Sequence, residues 1–96
     1  MEVIPTCPVW LLQGQCLAAM GNDDDAVWAF REGLAKEDCS RGRHLLAKSL
    51  ERTGQHRAAL EEYRQAAQIA ELVERDQVRF QEINIDLSAL LGKIKS

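Results

Sequence analysis

Residues 10–34 read WLLQGQCLAAMGNDDDAVWAFREGL, and residues 43–67 read RHLLAKSLERTGQHRAALEEYRQAA. Laid over each other at an offset of 33, the two stretches put Gly14 on Ala47, Leu17 on Leu50, Gly21 on Gly54, Ala26 on Ala59, Phe30 on Tyr63 and Gly33 on Ala66. Self-similarity at such a period marks a supersecondary unit used more than once. Within the first stretch, small and apolar residues recur every three or four positions: Trp10, Gly14, Leu17 and Ala18, then Ala26, Phe30, Gly33 and Leu34. Residues so spaced share one face of a helix. Each copy is therefore expected to be a pair of amphipathic helices, and the fold class all-α.

The helix ends are signalled as well. Pro8 suits the first turn of a helix running to about Met20, where no amide donor is needed, and Gly21 offers the backbone freedom of a helix end. Asn22 to Asp25 supply capping oxygens and negative charge at the positive pole of a second helix, about Asp24 to Lys36. Ser40 is the expected cap of a third helix, about Arg41 to Thr53. Gly54 ends it, and a fourth helix runs from about Gln55 toward Ala70.

The order Trp10, Gly14, Leu17, Gly21, Ala26, Phe30, Gly33 and its counterpart Arg43, Ala47, Leu50, Gly54, Ala59, Tyr63, Ala66 resembles the tetratricopeptide repeat over residues 8 to about 71. The resemblance implies two stacked antiparallel hairpins, repeat one over about 8–40 and repeat two over about 41–73. In such hairpins Gly14 and Ala47 permit close approach, and Phe30 and Tyr63 fill the space between helices. The chain departs from the pattern at Arg43, which stands where the first copy has Trp10, and at Asp38 and Glu71, which replace the usual Pro. Its period is one short of the family's roughly 34 residues.

Beyond Leu72 the pattern fails, because Phe80 and Leu87 would fill slots meant for small residues. The remaining stripe, Val73, Phe80, Ile83 or Asn84, Leu87, Leu90 or Leu91, and Ile94, predicts a terminal helix over about 74–92 that caps the second hairpin, with Gly92, Lys93 and Lys95 forming its end. Ile83, Ile85 and Leu87 also alternate with polar residues as a strand would. No Gly or Pro separates Gly54 from Gly92, so the fourth and fifth helices either form one rod or break near Glu74 to Asp76.

Ninety-six residues suit one domain, here residues 1–96, and 46% hydrophobic with 28% charged residues suits a chain that folds. A net charge of −3 gives no general attraction to nucleic-acid backbones or anionic lipid. Cys7, Cys16 and Cys39 cannot all pair within the chain and are expected to be reduced thiols. There is no apolar run of about 20 residues, and Glu2, Pro5 and Pro8 stand where a signal peptide would be basic and then apolar. The expected compartment is the cytoplasm.

Catalytic and metal chemistry find no pattern, and neither a cofactor nor a metal is expected. His44 and His56 lack ligand spacing, Cys39 with His44 makes two of the four ligands a structural zinc needs, and no third residue orients that pair for nucleophilic catalysis. The acidic run Asp23 to Asp25 does not alternate as a calcium loop does. The expectation is a protein that is not an enzyme.

The repeat resemblance further implies that the first helix of each hairpin lines a concave groove for peptides. Carried over onto this chain, the groove positions are Pro8, Leu11, Gln15, Ala18 and Ala19 in the first copy and Arg41, His44, Lys48, Glu51 and Arg52 in the second. Arg41, His44, Lys48 and Arg52 are spaced three, four and four and form a cationic row in an acidic protein. Positions that hold Lys and Asn in carboxylate-clamping members hold Leu11, Gln15, His44, Leu45 and Lys48 here, so acidic chaperone tails are not expected. Trp28, whose counterpart is Glu61, points away from the face of Ala26 and Phe30 and is a candidate convex contact.

The expected function is a non-catalytic protein-interaction module that holds a peptide or helix of another protein, with self-association as a further way of covering its open ends. The alternative is a small dedicated chaperone or assembly subunit shielding one partner's helix, which would leave Phe80, Leu87, Leu90 and Ile94 in the open.

Overall fold

A computed structural model describes residues 9–95, and in it five α-helices follow one another: α1 (Val9–Ala19), α2 (Asp23–Lys36), α3 (Ser40–Arg52), α4 (His56–Gln68) and α5 (Gln77–Lys95). The fold is all-α. Residues Ile83 to Ser88, whose alternation would also suit a strand, are helical, and there is no strand among the described residues. Pro8 lies outside those residues.

Glycine makes both hairpin turns. Gly21 and Gly54 have φ of 85° and 87°, a region that costs a side chain about 1 kcal/mol or more. The bonds around them repeat: Gly21 N–H donates to Ala18 O and Asn22 N–H to Leu17 O, while Gly54 N–H donates to Glu51 O and Gln55 N–H to Leu50 O. Each set closes its helix in the same 6→1 and 5→2 pattern, satisfying carbonyls that would otherwise end the helix unpaired. Asn22 and Gln55, which follow, make no side-chain capping bond. The acidic first turn of α2 therefore acts on the helix dipole by charge alone.

The cap of α3 differs from expectation. Ser40 is the first residue of the helix, and the cap is Cys39, whose Sγ accepts from Gly42 N–H at 3.3 Å. Ser40 reaches elsewhere: its N–H and its hydroxyl donate to the two carboxylate oxygens of Glu74 at 2.9 and 2.6 Å. Glu74 thus satisfies an open amide at the start of α3 from the far end of the second hairpin.

That far end is where the chain breaks. α4 runs straight into a π-helical turn, Ile69–Val73, and Arg75 then takes a positive φ of 54°. Asp76 restarts the helix by accepting from Arg79 N–H at 3.0 Å. Gly92, expected near the end of α5, lies inside it.

The helices pack mainly on their chain neighbours: α1 on α2, α2 on α3, α3 on α4 and α4 on α5. The core between them holds Leu11, Phe30, Leu46, Leu50, Tyr63, Ile83 and Leu90 with a seam of alanines, Ala26, Ala47, Ala59, Ala66 and Ala70. Each fully buried large apolar side chain contributes about 1.5–3 kcal/mol. The small residues set the spacing. A methyl group on Gly14 would overlap the Phe30 ring, and one on Gly33 would overlap the Trp10 indole. On Gly42 it would meet the same indole at 2.6 Å, so glycines of α2 and α3 form a slot for Trp10. Arg43, the counterpart of Trp10, instead joins Asp38 at 2.7 Å and Glu62 at 2.8 Å.

Candidate functional site

The site follows from where α3 puts its polar side. α5 lies chiefly along α4 and touches α3, and this brings Asp86 beside two members of the cationic row. His44 Nε2 is 2.6 Å from Asp86 Oδ2 and Lys48 Nζ is 3.7 Å from the same oxygen. His44 is only 8% exposed, and its ring is tilted against that of Tyr63 with centroids 5.8 Å apart. Burial holds its pKa below the ordinary value; the bond to Asp86 opposes this, and Lys48 and Arg79 reinforce it. A neutral His44 must carry its proton on Nε2, since a carboxylate can only accept.

A second polar chain runs alongside. Tyr63 donates its hydroxyl to Glu51 Oε1 at 2.9 Å, and Lys93 of α5 donates to Glu51 Oε2 at 2.8 Å. Partial burial raises the Glu51 pKa, but the bonds from Lys93 and Tyr63 outweigh it, and the net direction is down. Tyr63 is pushed far up by burial and by its bond to that carboxylate, so it serves as a fixed donor. Arg52 reaches the other way, to Asp23 of α2 at 2.9 Å.

Two clefts open on this side of the stack. One, of about 250 Å³, is lined by Gln15, Ala18, Leu45, Lys48 and Arg52 among others; the next, of about 360 Å³, is lined by Lys48, Glu51, Arg52, Asp86, Ala89 and Lys93. Lys48 and Arg52 belong to both, so the clefts adjoin, and the pair is termed the trough over α1, α3 and α5. Of the expected groove residues, Gln15, Ala18, Lys48, Glu51 and Arg52 line it, and Ala19 does not. Leu11 does not: at 1% exposure it is part of the core. His44 lies under the trough wall, bonded to Asp86. Arg41 is half-buried and lines neither cleft, and its Nε has no hydrogen-bond partner among the described residues.

A larger hollow lies on a different side of α1, between α1 and α2. Its volume is about 610 Å³, and Val9, Leu12, Cys16, Leu17, Met20 and Trp28 form most of its wall. Val9 is 71% exposed, Leu12 51%, Met20 66% and Trp28 66%, a concentration of open apolar surface that single scattered residues do not make. The spacing of Val9, Leu12, Cys16 and Met20, three then four then four, already carries this signal in the sequence. Trp28, the candidate convex contact, is exposed, and it forms the edge of this hollow rather than an isolated contact.

The stripe expected to be open in a dedicated chaperone is mostly packed. Leu90 is buried, Phe80 and Leu87 lie against the core, and Ile94 remains exposed. Cys39 and His44 each have their own partner, Gly42 N–H and Asp86, and among the described residues no three His, Cys, Asp or Glu side chains converge on a point. No described helix is long and apolar enough to cross a membrane. Compared with protein-family models, with curated proteins and with solved structures, the chain matches none.

Proposed function

We propose that this chain is a non-catalytic protein-interaction module of the tetratricopeptide-repeat kind, holding an extended segment of a partner protein in the trough over α1, α3 and α5. The observation that carries the reading is the sharing of Lys48 and Arg52 by adjoining clefts, which sets two cations where the clefts meet. Those cations are held by internal carboxylates, Asp86 for Lys48 and Asp23 for Arg52. A partner carboxylate would take the place of these exposed pairs, which are individually worth about 0–1 kcal/mol, and so would add orientation and encounter rate more than affinity. Apolar contact with Ala18, Leu45 and Ala89 would supply the rest. On this reading the chain works in the cytoplasm on a protein partner, without a cofactor.

Random-peptide display against the native chain and against the Lys48→Glu, Arg52→Glu double variant tests the reading, with circular dichroism to verify that the variant folds. Peptides with an acidic residue beside an apolar anchor should be enriched by the native chain and not by the variant. Equal enrichment by both, or none by either, would overturn the assignment of the trough.

A further inference from the structure

The second hairpin displays what covers the outer side of a first helix in this stack. On α3, Gly42, Leu46 and Ser49 are buried, and a methyl group on Gly42 would come within 2.6 Å of Trp10 and 2.9 Å of Leu34, a side chain of α2. Thirty-three positions earlier stand Val9, Gln13 and Cys16 on α1, and all three are exposed. Among the described residues, no helix takes over α1 the place that α2 takes over α3. The hollow of about 610 Å³ marks that place.

We propose that this face docks one helix of a different protein, a helix with small or apolar residues along one stripe and a Lys or Arg at its edge. Shape, lining and charge select that occupant. Val9 to Met20 spans about 16 Å, the rise of three helical turns, and its side chains form the kind of ridge against which a helix packs. Apart from Gln13, the wall is apolar but for one charged side chain, Asp25. A cation at the edge of the incoming helix would pair with Asp25. A second copy placed face to face would bring no cation in its own lining to meet Asp25, the one charged side chain there. The face is separate from the trough and stands whether or not the trough binds.

The probes are two lactam-stapled helices of about 16 residues, alike in an Ala and Leu stripe at i, i+4, i+7 and i+11 and flanked by Lys in one and by Glu in the other. Trp28 supplies the readout, since iodide should quench this exposed indole and not Trp10 in its slot. The Lys helix should protect Trp28 from iodide and bind about threefold more tightly than the Glu helix. Asp25→Asn should erase that preference, and Leu12→Glu should weaken both by tenfold or more. The Lys48→Glu, Arg52→Glu variant should bind the Lys helix as the native chain does, which separates this face from the trough. Binding of neither helix, binding abolished by the trough variant alone, or binding only after removal of residues 1–8 would overturn the proposal. So would a native dimer in sedimentation that Leu12→Glu converts to monomer.

Discussion

His44 of α3 and Asp86 of α5 are joined at 2.6 Å across 42 positions of sequence, and this bond fastens the terminal helix to the row of side chains that a partner would meet. The imidazole is buried enough to stay neutral at a pH where a free one would begin to charge. Its titration therefore reads the attachment of α5.

The sign follows from the depressed pKa. As pH falls through about 6.5 the unfolded chain takes up a proton that folded His44 still refuses, so stability is complete above that value and falls between it and the lower folded pKa. Thermal midpoints measured between pH 7.5 and pH 5 should decline, and His44→Gln should remove part of the slope. An unchanged slope in the variant would show that the decline has another source. The Glu51 carboxylate, depressed in its turn, loses its contribution only below the ordinary carboxylate value and leaves this window undisturbed.

Gly33→Ala should destabilise the fold by about 1–3 kcal/mol, because the added methyl overlaps the Trp10 indole. Gly92→Ala should do the reverse by about 0.5–1 kcal/mol, since that glycine is inside α5 with no atom near the added carbon. Urea titrations of both variants make the comparison, and equal signs would contradict the assigned packing.

Glu74→Ala should cost about 1–3 kcal/mol, since it leaves the buried Ser40 hydroxyl and amide without their acceptor. Ser40→Ala alone should cost less, as the amide keeps its bond. A double-mutant cycle should return a coupling of the order of 1 kcal/mol, and zero coupling would mean that the contact is not formed in solution.

Trp28→Ala should leave the unfolding free energy from urea titration within about 0.5 kcal/mol of the native chain, and Trp10→Ala should lower it by about 3–5 kcal/mol. The two residues are of one type, and only burial separates them.

What the sequence disclosed and what it hid divide along physical lines. Gly21 and Gly54 announced their turns because a positive φ selects glycine, and the alanine and aromatic positions announced the hairpins because close packing allows few alternatives. The break between α4 and α5 was ambiguous because neither Gly nor Pro makes it; a π-helical turn and Arg75 in a left-handed conformation do. The trough was half-visible: Lys48 and Arg52 could be placed on one face by counting, but Asp86 and Lys93, which complete its wall, arrive from α5, whose register against α3 has no local signature. Leu11 was misplaced for a related reason, since a groove position and a core position on α1 differ by less than a quarter turn. Ser40 and Cys39 exchanged roles as cap because Glu74, 34 positions away, captures the serine.

Packing chiefly on chain neighbours governs how the molecule should come apart and reassemble. Loops closed by such contacts are short, so little entropy is lost before each contact forms, and folding on a microsecond to millisecond scale is expected. Opening should travel inward from the two ends, with amides of α1 exchanging with deuterium ahead of those of α3 and α4. The first hairpin is held to the rest chiefly through α2 on α3, and a helix seated against α1 would slow exchange there while leaving the centre of the stack unchanged.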